Sequence, residues 1–144
     1  DPPGFVHVLD EQTLAIPDRV GNRRAGTLRN ILQTGKIGLL FLIPGKEETL
    51  RINGSAIIVR DRWLCERMAI RGKVPDVALV VTVEEAFIHC AKCMIRSHLW
   101  AVDQWPDVAA LPSITQILID HAQLSESAAV VQAQIDESYR ERLY

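Results

Sequence analysis

The longest strand patterns of the sequence cover residues 49–59 and 78–89, and they limit the possible folds most strongly. Over residues 49–59 apolar and polar residues alternate, the apolar ones being Leu50, Ile52, Ala56 and Ile58. Residues 78–89 are apolar at first and then alternate. Alternation of this length predicts strands with one buried face. Because only small helical patterns separate the strands, we expect a mainly antiparallel β-barrel or α+β fold rather than a parallel α/β sheet.

Shorter patterns complete the predicted order of elements. Further strands are predicted at residues 5–9, 13–16 and 37–43, and helices at residues 24–34, 61–71, 114–122 and 125–143. Residues around 91–98 are predicted to form a short helix or a turn. Residues 37–43 are almost wholly apolar and have glycines nearby, which predicts a buried central strand. Gly54 lies in the middle of a strand pattern and predicts a bulge or a sharp bend. Ser113 is expected to cap the helix at 114–122.

The first helical pattern has recognisable ends. Leu28, Ile31 and Leu32 form one apolar stripe at helical spacing. Asn22 stands where an N-cap residue belongs, and Gly35 stands where a C-terminal capping glycine belongs. We therefore predict a helix that begins close to a basic turn and ends at a glycine.

Length, charge and cysteine usage set broad limits. The 144 residues make one domain's worth of chain, which we divide into a main domain over residues 1–102 and a linker with helices over residues 103–144 packed on it. A net charge of −2 gives no general attraction to nucleic acid or to anionic membranes. No apolar run approaches the ~20 residues that a membrane-spanning helix needs. Three cysteines, an odd number without a secretory signal, favour a reducing cytoplasm.

The segment from residue 19 to residue 29 is the most informative for function. It carries four arginines and no carboxylate, the arginines being Arg19, Arg23, Arg24 and Arg29. The segment coincides with the predicted start of a helix, where backbone N–H groups and the helix dipole favour an anion. Guanidinium groups bind phosphate oxygens in bidentate fashion. These residues favour a phosphate monoester site, and a solvated basic surface is the alternative.

Three motifs together resemble the pyridoxamine phosphate oxidase-like, flavin-binding split-barrel family, and in particular its less characterised bacterial members. The first motif is Ala-Ile-Pro-Asp-Arg-Val-Gly-Asn-Arg-Arg at residues 15–24. The second is Ile-Gly-Leu-Leu-Phe at residues 37–41, and the third is Thr-Leu-Arg-Ile-Asn-Gly at residues 49–54. The resemblance covers roughly residues 5–100. It implies an antiparallel split β-barrel with small peripheral helices.

The resemblance also implies a set of residues that bind the cofactor FMN. Arg23 and Arg24 match the family's Arg-Lys pair on the FMN phosphate, with Arg19 in the same basic segment. Asn22 stands in place of the family's serine. The remaining expected contacts are Asp18 near the flavin ring, Thr49 in place of a glutamine that touches the flavin, and Arg51 at the arginine that follows. For Arg51, a role as an ordinary surface residue of a strand stays open.

The family resemblance implies an FMN-dependent oxidoreductase that acts on an unknown small molecule, as a homodimer with the flavin at the interface. It assigns no side chain as catalytic, because the flavin carries the redox chemistry. Related split barrels use haem or a deazaflavin, so these cofactors are alternatives. The family's initial pair of strands is not recognisable here, and one of them supplies flavin contacts. The C-terminal Trp and Arg-Leu-x-Pro ending of the true oxidases is also absent, which argues against pyridoxamine phosphate as substrate.

Residues 89–100 form a second informative segment, with Cys90 and Cys93 spaced as Cys-x-x-Cys. We interpret the two cysteines as small thiols buried at a strand end. Half of a zinc site and a redox dithiol are the alternatives, although we expect no metal. The resemblance places the segment beside the flavin, where the polar candidates for a substrate pocket are Lys92, Arg96, Ser97 and Trp100. A flavin storage module, or a structural or zinc-binding domain that uses the cysteines, are the alternative functions.

Overall fold

A computed structural model describes residues 1, 3–21 and 24–142 of the chain. The chain divides into two compact units, Asp1–Gln104 and Trp105–Tyr144. Asn22 and Arg23 lie outside the described residues, and so do the predicted helix cap and the predicted phosphate contact that fall on them. None of the described helices is both long and apolar enough to cross a lipid bilayer.

The first unit is built on one antiparallel sheet. Its strands are β1 (His7–Val8), β2 (Thr13–Pro17), β3 (Lys36–Phe41), β4 (Thr49–Val59) and β5 (Ala78–His89). Their order in the sheet is β1-β2-β5-β4-β3, and each neighbouring pair is antiparallel. The predicted bounds of β4 and β5 agree with the structure. The predicted antiparallel α+β fold is confirmed.

The helices are α1 (Gly26–Thr34), α2 (Arg62–Arg67), α3 (Lys92–Arg96), α4 (Ile114–Ala122) and α5 (Ala128–Glu141), with a 3₁₀ turn at Val102–Gln104. The start that we predicted for the first helix is wrong, because α1 begins at Gly26 with Ala25 at its N-cap. The predicted end is confirmed: Gly35 is left-handed, with φ of 66°, and its N–H donates to the Ile31 carbonyl. Glycine suits this position because it has no Cβ to clash there.

The sheet buries apolar residues on both faces, because successive side chains of a strand point to opposite sides. On one face Ile31 of α1 packs on a cluster formed by Leu14, Ile52, Ala56, Leu79 and Val81. On the other face α2 packs on Ala15 and Ala78 through Leu64, Cys65 and the adjoining Met68. We call these the α1 face and the α2 face.

A β-bulge interrupts the pairing of β4 with β5, as Gly54 predicted. Asn53 pairs with Glu85 and Gly54 with Val83, so Glu84 is the extra residue. A Cβ on Gly54 would lie 2.1 Å from the Thr82 carbonyl oxygen, which explains why a glycine stands there. Bulges bend a strand and increase its twist, and the curvature of a barrel-like sheet depends on such bends.

The buried central strand that we predicted at residues 37–43 is wrong. The strand β3 ends at Phe41 and lies at the edge of the sheet, with β4 as its only strand neighbour among the described residues. Its side chains alternate between half-buried and exposed, and Leu40 is 54% exposed. The apolar stripe predicted for α1 is also narrower than expected, because Leu32 is 76% exposed.

The second unit contains α4 and α5, which contact each other. Ser113 caps α4 as predicted, its hydroxyl accepting a hydrogen bond from the Gln116 N–H at 3.1 Å. The contact between the helices includes a hydrogen bond from the buried Thr115 hydroxyl to the Gln132 amide oxygen. Val131 is the buried apolar residue of α5.

Candidate functional site

The basic segment leaves the sheet at the end of β2. There the N–H of Asp18 donates to the Val77 carbonyl at 3.0 Å, which continues the pairing with β5 by one residue. Asp18 is exposed. Arg24 and the first turn of α1 come after Asn22 and Arg23, which lie outside the described residues.

The N-terminus of α1 has the chemistry of an anion site. Ala25, at the N-cap, is left-handed with φ of 41° and has no side-chain oxygen to accept from the first-turn N–H groups. The first turn contains no acidic residue. Arg24 and Arg29, before and within α1, are both exposed. Apart from its chain neighbours and the backbone of α1, no described residue lies within 4 Å of the point where a Cβ on Gly26 would stand, so those residues leave the backbone there open to a ligand.

Arg19 is engaged elsewhere in the domain. Its Nη2 donates to the Met68 carbonyl at 2.7 Å, and its Nε lies 3.0 Å from the Asp1 carboxylate. Met68 packs on the α2 face, whereas α1 packs on the opposite face. The structure therefore directs the Arg19 guanidinium to the end of α2 rather than to α1.

Thr49 and Arg51 both lie on the α2 face of β4. Thr49 is 4% exposed and pairs with His89, the last residue of β5. The Nδ1 atom of His89 is buried and has no hydrogen-bond partner among the described residues. Arg51 is exposed and pairs with Phe87 on one side and with Leu40 on the other.

Residues 18 and 49 lie at opposite ends of the sheet. Asp18 follows the row that contains Ala78, and Thr49 lies in the row of His89. Eleven residue steps of β5 separate these rows, roughly 35 Å for an extended strand and less for a bent one. One chain therefore does not bring Asp18 and Thr49 to one small ligand.

The candidates that follow β5 surround α3. Lys92 and Arg96 of α3 are exposed, and the Ser97 hydroxyl donates to the Met94 carbonyl at 3.2 Å. The indole Nε1 of Trp100 donates to the Lys46 carbonyl at 2.6 Å. That bond ties the segment to the loop between β3 and β4.

The buried environment that we predicted for Cys90 and Cys93 is wrong, because both are exposed. They follow the end of β5, beyond the part of the sheet that either buried cluster covers. In the described part of the chain, no three His, Cys, Asp or Glu side chains are grouped so that they could hold a metal ion. Cys65 is the buried cysteine, and burial raises the pKa of its thiol.

The structure adds an exposed surface on the α2 face, at the end of the sheet where β3 and β5 end and β4 begins. We call it the open surface and define it by the cross-strand row of Leu40, Arg51 and Phe87. Leu40 and Phe87 are 54% and 40% exposed. The alternation of β4 and β5 was visible in the sequence. The sequence did not show which part of the α2 face is left uncovered by α2.

Comparisons with known proteins give the family. A family model described as pyridoxamine 5'-phosphate oxidase matches residues 1–90. A search of curated proteins found no match. Similar solved structures include HupZ of Group A Streptococcus, with 23% identity over 58% of this chain and 68% of that one and a TM-score of 0.48.

A histidine-to-alanine variant of HupZ gives 22% identity over 59% of this chain and 73% of that one, also with a TM-score of 0.48. A candidate pyridoxamine 5'-phosphate oxidase of Lactobacillus delbrueckii gives 19% identity over 58% of this chain and 68% of that one, with a TM-score of 0.45. The family model spans more than half of the 144 residues. The chain therefore belongs to the pyridoxamine 5'-phosphate oxidase family.

Proposed function

We propose that this protein binds FMN and acts as a flavin-dependent oxidoreductase on a small molecule. Family membership supports a flavin, and the N-terminus of α1 supports its phosphate. The observation that carries the proposal is the coincidence of a carboxylate-free arginine segment with a helix start that has no side-chain cap. Both features favour the same dianionic group.

The residues of the α1 turn fit a phosphate monoester. Arg23 and Arg24 supply guanidinium groups, and the first-turn N–H groups of α1 supply backbone donors. Gly26 has no side chain, so the space beside its backbone N–H is left free for the phosphate. We propose for Arg19 a structural role, since its guanidinium already serves the Met68 carbonyl and the Asp1 carboxylate.

The flavin, when bound, supplies the electron transfer, and the protein supplies binding, orientation and the pocket. The chain needs no general base or nucleophile for this division of work. Lys92 and Arg96 are exposed cations on α3 and are suited to orient an anionic substrate. Trp100, fixed by its bond to the Lys46 carbonyl, offers an aromatic wall to the same pocket.

We further propose that the working form is a homodimer in which a second copy covers the open surface. This surface contains large apolar side chains around Arg51, a composition typical of interfaces. Asp18 and Thr49 are too far apart along β5 to meet at one flavin within a chain. A two-fold dimer can bring such groups of different copies together, and the flavin would then lie between them.

The test of the proposed function is the cofactor itself. The protein should purify yellow or, if colourless, take up equimolar FMN, and mass spectrometry should identify the released chromophore as FMN. Steady oxidation of a reductant or a candidate substrate would then separate an enzyme from a flavin carrier. A protein that neither retains nor takes up FMN would contradict the proposal, and a bound haem or deazaflavin would replace its cofactor.

A further inference from the structure

Two of the three cysteines stand together on the surface. Cys90 directly follows β5, and Cys93 lies in the first turn of α3, three residues later. Both are exposed and neither is in a disulfide. Cys65, by contrast, is a residue of α2 that is 4% exposed and packs in the cluster between α2 and the sheet. The chain thus contains an accessible dithiol and a buried thiol that can serve as an internal control.

The backbone between the two exposed cysteines already has the curvature that a disulfide requires. Ala91 is helical with φ of −68° and ψ of −11°, and Lys92 is the first residue of α3. Two consecutive residues in this conformation form a tight turn, in which the Cα atoms of the flanking residues lie less than about 7 Å apart. Disulfide-bonded cysteines have Cα atoms about 4.4–6.8 Å apart, so the turn brings the two cysteines within the range of Cα separation that the bond requires.

The charges near the dithiol are of both signs. Residues 86–102 contain no Asp or Glu, and Lys92 and Arg96 on α3 are exposed cations. Glu48 directly precedes Thr49, which pairs with His89, so a carboxylate residue lies at the same end of the sheet as Cys90. Exposure and spacing of the two cysteines, rather than local charge, are therefore the features that favour reaction with a small disulfide.

We propose that Cys90 and Cys93 form a reversible intramolecular disulfide by exchange with a low-molecular-weight disulfide. One thiolate attacks a sulfur of the small disulfide, which forms a mixed disulfide and releases one small thiol. The second cysteine then attacks the protein sulfur of the mixed disulfide and releases the second small thiol. The protein loses two protons and two electrons, and the small disulfide gains them as it becomes two thiols. This site does not depend on the proposed flavin.

The experiment uses the full chain and oxidised glutathione as the probe. Thiols are counted on the denatured protein before and after equilibration, and intact masses are measured. The wild type should fall from three titratable thiols to one, lose two hydrogen atoms in mass, carry no glutathione and recover fully with dithiothreitol. Peptide mapping should place the bond between Cys90 and Cys93.

Three variants make the result specific. Cys90→Ser and Cys93→Ser should each retain one glutathione, because the resolving thiol is missing, and circular dichroism should show an unchanged fold. Cys65→Ala should form the disulfide as the wild type does. Stable glutathione adducts on the wild type, a disulfide between chains, or thiols that do not react would each overturn the proposal.

Discussion

Arg51 and Phe87 are cross-strand partners on β4 and β5, and both side chains are exposed on the α2 face. Leu40 of β3 flanks Arg51 from the other side. The row therefore places a guanidinium between two large apolar groups on a sheet surface. A free surface of this composition is typical of the central part of a protein interface, where arginine and aromatic residues are enriched.

We expect Phe87→Glu to weaken the proposed homodimer. A two-fold interface contains the changed residue twice, and a buried carboxylate lacks a partner there. The dissociation constant of the dimer should rise at least tenfold, about 1.4 kcal/mol. Sedimentation velocity over a range of concentrations measures the effect. The control is Leu32→Glu, which adds the same charge on an exposed position of α1. Equal behaviour of both variants would place the interface elsewhere.

The phosphate assignment predicts that Arg23→Ala and Arg24→Ala each weaken FMN binding by roughly ten- to a hundredfold. A charge-assisted hydrogen bond contributes about 1.5–3 kcal/mol, and each change removes at least one. Fluorescence titration with FMN measures the affinity, and thermal unfolding checks the fold. Arg62→Ala is the matched control, because Arg62 is exposed and its ion pair is with Glu66, one helical turn away.

We expect Arg19→Ala to lower the stability of the fold but to leave FMN binding unchanged in the same titration. Loss of the bond to the Met68 carbonyl should lower the free energy of unfolding by about 1–2 kcal/mol, because that bond is partly buried. The FMN affinity should stay within about twofold of the wild type. A large loss of FMN affinity with an unchanged free energy of unfolding would show instead that Arg19 contacts the cofactor.

The sequence allowed β4 and β5 to be predicted to the residue, because alternation marks a half-buried strand directly. The position of β3 could not be predicted in the same way. An apolar run such as residues 37–43 is equally compatible with a central strand and with an edge strand whose apolar side chains face a partner or solvent. Strand order depends on long-range pairing, which a local pattern does not contain.

The candidate site shows a similar division. The charge of the arginine segment and the presence of a nearby helix could be predicted, whereas the contacts of each arginine side chain could not. Arg19 and Arg24 are only five residues apart, yet Arg19 contacts the end of α2 and Arg24 precedes α1. The exposure of Cys90 depends on how the chain leaves β5 and on the length of α3, which composition does not reveal.

Gly54 and Gly38 form a matched pair for testing the bulge. A Cβ on Gly54 would lie 2.1 Å from the Thr82 carbonyl oxygen, whereas one on Gly38 would lie 3.5 Å from the Asn53 side-chain oxygen. Gly54→Ala should lower the free energy of unfolding by about 1–3 kcal/mol, because backbone must move. Gly38→Ala should be nearly neutral. Urea unfolding measures both, and equal effects would show that the bulge does not require the glycine.

The ion pair between Lys36 and the bulge residue Glu84 should make the stability of the fold depend on pH. A hydrogen bond and the charge of Lys36 hold the pKa of the Glu84 carboxyl below its ordinary value of 4.5. The pair therefore stabilises the fold above the ordinary pKa, and this contribution is lost as the pH falls through the lowered value. Lys36→Gln should lower the melting temperature at pH 7, and the difference from the wild type should disappear as the pH falls through the lowered pKa of Glu84.

Lys46→Gln is the control for that comparison, because it removes an equal charge from the loop at the opposite end of β3, away from Glu84. A difference between wild type and Lys36→Gln that persisted unchanged into acid would show that Lys36 acts through something other than the Glu84 carboxylate. Differential scanning fluorimetry at constant ionic strength provides all of these melting temperatures.

The edge position of β3 has a consequence for the tendency of the protein to aggregate. An edge strand offers unpaired backbone groups to any other extended chain, and the run Ile37–Ile43 contains seven residues without a charge or a proline. Lys36 precedes the run, and Pro44 and Lys46 follow it. We expect these flanking residues to oppose stacking into fibrils, so their combined replacement by apolar residues should increase the aggregated fraction on expression.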